Sequence, residues 1–150
     1  LSLRRQRQMC IRDSFCSPHL EIKKWPYYND LINLIMDKYG EEYKVVTAPG
    51  PSEINDAKSI NALALLDNGR AVDISQLTSL IKDSSFVISN DTGPAHIAAH
   101  VGSNGLTLFG KHTTVYKVWI ERENFKAVQV NDLNNLSAEK VFEKLTNSLY

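Results

Sequence analysis

The chain has 150 residues with 17 basic and 17 acidic side chains, so its formal charge is zero and no overall basic field draws it to nucleic acid. That length is one ordinary domain with room for a real core, and no apolar run nears the roughly 18 residues that a membrane span needs. Cys10 and Cys16 are spaced neither for zinc nor as a disulfide framework, which leaves a reduced, cytoplasmic chain as the default.

The first stretch, "LSLRRQRQMCIRDS", packs Arg4, Arg5, Arg7 and Arg12 into a segment with little apolar periodicity. It lacks the apolar middle of a secretory signal, and a basic arm for nucleic acid is the alternative. We read residues 1–14 as a non-native or disordered extension and place the domain at residues 15–150. Without the extension the body is mildly acidic.

From residue 15 onward short apolar runs alternate with amphipathic helices. "FCSPHL" is a candidate strand. "WPYYNDLINLIMDKYG" is a helix started by Pro26, with Leu31, Ile32, Leu34, Ile35 and Tyr39 at helical spacing and Gly40 as its stop. "YKVVTA" is a strand closed by the breakers "PGPS". The pattern then predicts a helix over residues 53–66, a short strand at "AVDI", and a helix over 75–84 with Ser75 as N-cap and Leu77, Leu80 and Ile81 facing the core. "FVIS" is a strand, "PAHIAAHV" a helix and "GLTLF" a strand. After an irregular stretch, "FKAVQV" reads as the last strand and "SAEKVFEKLTNSL" as a closing amphipathic helix. Such alternation implies an α/β fold, with a parallel sheet and helices on both faces. Ligands of these sheets bind beyond the carboxyl ends of the strands. Three polar loops are placed for that: "HLEIKKWP", "APGPSE" and "SNDTGPAH".

The last loop poses a choice, because Asp-Thr-Gly is also the tripeptide of aspartic proteases. That chemistry needs two facing aspartates in an all-β fold, whereas here Pro94 follows Gly93 and a helix follows the proline. A phosphate site fits better. Pro94 suits the first helical position, Gly93 lets a ligand approach the backbone, and the free N–H groups and dipole of the helix favour an anion. Thr92 adds a hydroxyl, and His96 lies one turn inside. Ala95, Ala98 and Ala99 allow the helix to pack closely on the sheet. Simple helix capping by Asp91 and Thr92 is the plainer alternative. His96 and His100 are four apart and lack a third ligand, so no metal is expected. Lys23 and Lys24 can neutralise a second phosphate or form a solvated pair beside a packed Trp25. Glu53 can accept from a ribose or base, or serve as an acid in a helix's first turn.

Taken in order, "KKWPYYNDLINLI", "APGPSE", "ISQLTSLIKDSSFVISNDTGPAHIAAHVG" and "LTLFG" resemble the C-terminal half of the ADP-heptose–lipopolysaccharide heptosyltransferases, glycosyltransferase family nine. The resemblance is clear from about residue 15 to 110 and extends to the tail. It implies a Rossmann-like nucleotide-sugar-binding domain, one half of a two-domain GT-B enzyme. By the same resemblance Asp91, Thr92, Gly93 and His96 touch the pyrophosphate and sugar of the donor, with Lys23 as the family lysine and Lys24 as its substitute. Glu53, or Ser52 if the register is one residue off, meets the nucleoside. Two departures stand out, Asn104 followed by Gly105 and the triplet Lys111, His112 and Thr113, both where the family often has proline.

The resemblance also implies a function. The parent enzyme is expected to transfer a sugar, heptose in the first instance, from an ADP-sugar to a lipopolysaccharide core acceptor with inversion. It needs no cofactor and no metal, works without a transmembrane segment, and acts in the cytoplasm or at the cytoplasmic face of the inner membrane. No nucleic-acid partner is expected. The catalytic base belongs to an N-terminal domain that this chain lacks, so no residue here is assigned as catalytic and the fragment alone is expected to be inactive. A non-catalytic nucleotide-binding or regulatory module of the same topology is the competing reading.

Overall fold

A computed structural model of the chain describes residues 24–112 and 118–149 and the backbone of residues 7–12. Among the described residues, six strands form one parallel sheet: β1 (Arg7–Arg12), β2 (Tyr43–Thr47), β3 (Leu63–Ala64), β4 (Phe86–Asn90), β5 (Gly105–Phe109) and β6 (Phe125–Gln129). Their order across the sheet is β3-β2-β1-β4-β5-β6. The chain therefore steps outward from β1 on one side, then returns and steps outward on the other. The switch falls between β1 and β4, which is where a doubly wound sheet opens its ligand crevice.

Among the described residues, four helices cover the sheet: α1 (Tyr28–Tyr39), α2 (Ile74–Asp83), α3 (Gly93–His100) and α4 (Ala138–Ser148). Strand side chains alternate between faces. Phe86 and Ile88 of β4 join the core built with α1 and α4, whereas Val87 joins the core built with α2 and α3. The first core takes Leu31, Ile32 and Ile35 from α1 and Val141 and Leu145 from α4. The second takes Leu77 and Ile81 from α2 and three alanines from α3.

Several expectations need correction. Although residues 1–14 read as lying outside the fold, Arg7–Arg12 forms the strand between β2 and β4, with Met9 in register with Val45 and Phe86. Backbone ladders on both sides hold a central strand without demanding the alternation that sequence reading looks for. The helix expected over 53–66 shrinks to a 3-10 turn, Asp56–Ser59, before the chain extends into β3. Asn29 of α1 explains this: its Nδ2 donates to the Ser59 carbonyl and its Oδ1 accepts from the Asn61 N–H. Those tertiary bonds hold the backbone that a helix would have used. No strand forms at residues 71–74. Asp73 caps α2 there in place of Ser75, accepting from Gln76 N at 2.7 Å while Gln76 Oε1 accepts from Asp73 N at 2.9 Å. Aspartate followed three residues later by glutamine makes a reciprocal capping box that Ser75 does not offer. Pro26 precedes α1 by two residues rather than starting it, and Tyr27 is the N-cap. The strand expected at residues 15–20 lies outside the described residues.

Candidate functional site

Because the sheet is parallel, every strand delivers its following loop to the same edge. At that edge lie the turns after β2, β4 and β5 and the segment that leads into α1.

The β4–α3 corner is the most developed of these. All five residues of β4 are buried, and burial continues into Asp91, which is 6% exposed. Thr92 then has extended backbone (φ −145°, ψ 174°) and α3 begins at Gly93, with Pro94 in its first turn. Proline is tolerated anywhere in those first positions because the first four N–H groups of a helix have no intrahelical partner. Thr92 occupies the N-cap place without its side chain capping the helix; its hydroxyl donates instead to the Asn90 carbonyl at 3.3 Å. The simple capping reading therefore does not describe Thr92. Asn90 is itself held by Tyr28, whose hydroxyl donates to Asn90 Oδ1 at 3.1 Å. That bond ties the start of α1 to the end of β4.

Gly93 is informative through its surroundings. It does not adopt a left-handed backbone, and a Cβ built on it would meet nothing within 4 Å. Among the described residues nothing crowds a side chain there, and the open space lies over the helix start itself.

Asp91 lies between two imidazoles. His112 Nε2 donates to Asp91 Oδ2 at 2.8 Å. His96 Nε2 lies 3.8 Å from Oδ1, within ion-pair reach but too far for a hydrogen bond. His112 is 9% exposed and His96 is 42% exposed, so the first ring is a wall and the second faces outward. The His112 ring stacks on Phe109 with an interplanar angle of 9°. Its Nδ1 is buried with no hydrogen-bond partner among the described residues, a situation that costs about 1–3 kcal/mol. In the sequence His112 stands out only as a departure from a family pattern. The signal that could have found it is position: it follows β5, the neighbour of β4, and so arrives at the same edge.

The other expected residues are less closely gathered. Glu53 closes its own loop, with Oε2 accepting from Gly50 N at 2.8 Å, while Ser52 is exposed. The order of the strands puts β1 between this loop and the corner. Lys24 is exposed at the start of the α1 segment; Lys23 lies outside the described residues. Trp25 is 1% exposed and its Nε1 donates to the Leu136 carbonyl at 2.7 Å, so the tryptophan of "KKWP" is a core anchor. His100 donates from Nδ1 to the His96 carbonyl at 2.7 Å. No group of three or more His, Cys, Asp or Glu side chains is placed to hold a metal among the described residues. Among those residues, too, no helix is long and apolar enough to cross a membrane.

This is the architecture of a Rossmann-like half of a GT-B glycosyltransferase. Residues 15–146 match the model of glycosyltransferase family 9 (heptosyltransferase), and the chain belongs to that family. Similar solved structures include ADP-heptose lipopolysaccharide heptosyltransferase II of E. coli, with a TM-score of 0.78 at 17% identity over 96% of this chain and 46% of that one. E. coli heptosyltransferase WaaC with ADP gives 0.78 at 19% identity over 95% and 44%. A family 9 glycosyl transferase from Veillonella parvula gives 0.77 at 14% identity over 97% and 47%. At these identities the likeness is one of fold, and the chain spans less than half the length of each of these proteins. No curated protein matches the chain significantly.

Proposed function

We propose that this chain is the donor-binding half of a glycosyltransferase, and that the β4–α3 corner holds the diphosphate of an ADP-sugar, with heptose as the first candidate sugar. The observation that carries this is the start of α3: a helix N-terminus above which, among the described residues, the space at Gly93 is clear, bordered by the Thr92 hydroxyl and the exposed ring of His96. Magnitudes favour directed donors over the dipole. A helix end contributes about 0.3–1 kcal/mol to a nearby anion when exposed, whereas each hydrogen bond to a charged group contributes about 1.5–3 kcal/mol. Backbone N–H groups, Thr92 and His96 are therefore the main holding elements, with Lys23 and Lys24 as cations from the neighbouring loop.

The reaction assigned to the parent enzyme is inverting transfer. An acceptor hydroxyl of a lipopolysaccharide core loses its proton to a base in the other domain and attacks the anomeric carbon. The bond from that carbon to the diphosphate oxygen breaks, and the diphosphate leaves with the electron pair. Donors fixed around the departing oxygens lower the barrier because negative charge grows there as the bond breaks. The adenosine lies toward the β2 loop, where Ser52 is exposed; Glu53, with Oε2 on Gly50 N, has a second carboxylate oxygen with which to accept from a ribose. Protein groups alone carry these steps, without cofactor or metal, and the parent works at the cytoplasmic face of the inner membrane.

Isothermal titration of ADP into the chain tests the reading. Thr92→Val combined with His96→Ala should weaken binding at least about tenfold, equivalent to about 1.4 kcal/mol. A folded sample that gives no heat with millimolar ADP, or a double variant that binds as well as the parent chain, removes the donor site from this corner.

A further inference from the structure

We propose that His112 is a positioning residue of this corner: by holding Asp91 it sets the start of α3 in the geometry that receives the diphosphate. The ligand is taken from the donor-binding reading above, while the geometry stands independently of it.

The two imidazoles beside Asp91 are not equivalent. The 2.8 Å contact with His112 is a hydrogen bond, and the 3.8 Å approach of His96 is not. A carboxylate only accepts, so the proton of this bond sits on His112 Nε2, and in the neutral ring Nδ1 is then a bare lone pair. That Nδ1 is buried and meets no donor among the described residues. The stranded Nδ1 counts against a histidine here, and the bond to the buried Asp91 carboxylate counts for one. An apolar side chain of similar size would stack on Phe109 as His112 does and would strand no nitrogen. What the histidine adds is its bond to Asp91.

Asp91 is the residue that most needs holding. It stands immediately before the N-cap Thr92, and its charge is of the wrong sign for a neighbour of a diphosphate. The bond to the β5 loop keeps its carboxylate buried, 7% exposed, below the helix start. With Oδ2 engaged, Oδ1 is the oxygen turned to His96, whose exposed ring is left to meet the ligand. His112 thus acts on the ligand through Asp91, and Asp91 through the placement of Thr92, Gly93 and His96.

Two variants test this. His112→Leu keeps the apolar stack and loses the donor; His112→Gln keeps an N–H donor of similar reach. His112→Leu should weaken ADP binding about tenfold, and His112→Gln, which restores a donor to Asp91, should bind within about threefold of the parent chain. Adding His112→Leu to Asp91→Ala should cost less than about twofold beyond Asp91→Ala alone, because the alanine has already removed the acceptor of this bond. Unchanged ADP affinity in His112→Leu overturns the proposal. If the parent chain itself fails to bind ADP, the donor reading falls and amide exchange decides this one. Exchange at Ala95 and His96 should then run about tenfold faster in His112→Leu and return to the parent rate in His112→Gln; equal rates in all three overturn it.

Discussion

On one face of the sheet, α1 and α4 bury Trp25, Tyr28, Leu31 and Ile35 together with Phe86 and Ile88; on the other, the residues that α3 buries fully are alanines, Ala95, Ala98 and Ala99, with Ile97 partly buried beside them, in the core that holds Val87 and Phe109. Large side chains supply most of the burial energy, at about 25 cal/mol per Å² of apolar surface. Alanines supply little, but they let a helix lie close to the strands. α3 has eight residues, too short to persist in isolation. Its start is fixed by tight packing and by the Asp91 contacts, and that start is the part the ligand would use. One face thus holds the domain together while the other places a helix end.

Substitutions on the two faces should separate these roles. Ile35→Ala, at a fully buried position of α1, should lower unfolding free energy by about 2–5 kcal/mol in a urea titration. Its ADP affinity, measured under native conditions, should stay within about twofold of the parent chain. Ala98→Leu is the mirror experiment, since Ala98 is fully buried under α3. Overpacking there should cost about 1–3 kcal/mol and, unlike Ile35→Ala, should also weaken ADP binding as the helix start is pushed off the sheet. Equal effects of these two variants on ADP would abolish the division. Trp25→Phe is the mildest of the set. It keeps an aromatic ring in the core and removes the indole donor to Leu136, so a loss of about 1 kcal/mol with no change in ADP affinity is expected.

Much of this layout was legible because local signals agreed with the global fold. Gly40 ends α1, the alternation of strands and helices gives the parallel sheet, and Ser137 caps α4. The β4–α3 corner was legible for the same reason: Asp91, Thr92, Gly93 and His96 lie within one strand-to-helix turn. What escaped depends on distant partners. Asn29 captures the backbone at Ser59 and Asn61, 30 and 32 residues on in the chain, and turns an apparent helix into an approach to β3. His112 meets Asp91 across 21 residues of sequence because β5 lies beside β4. Asp73 was missed for a different reason: an aspartate after two apolar residues looked like part of a strand, although Gln76 stood in place to complete the cap.

The Trp25 bond to Leu136 has a consequence for synthesis. The two residues are 111 positions apart, and α1 rests against α4 near the end of the chain. A ribosome emits α1 long before α4, so the oily side of α1 stays uncovered until α4 follows. During that interval the growing polypeptide is a natural client for a holding chaperone, and the tryptophan's burial marks the moment at which the nascent fold can let go of it.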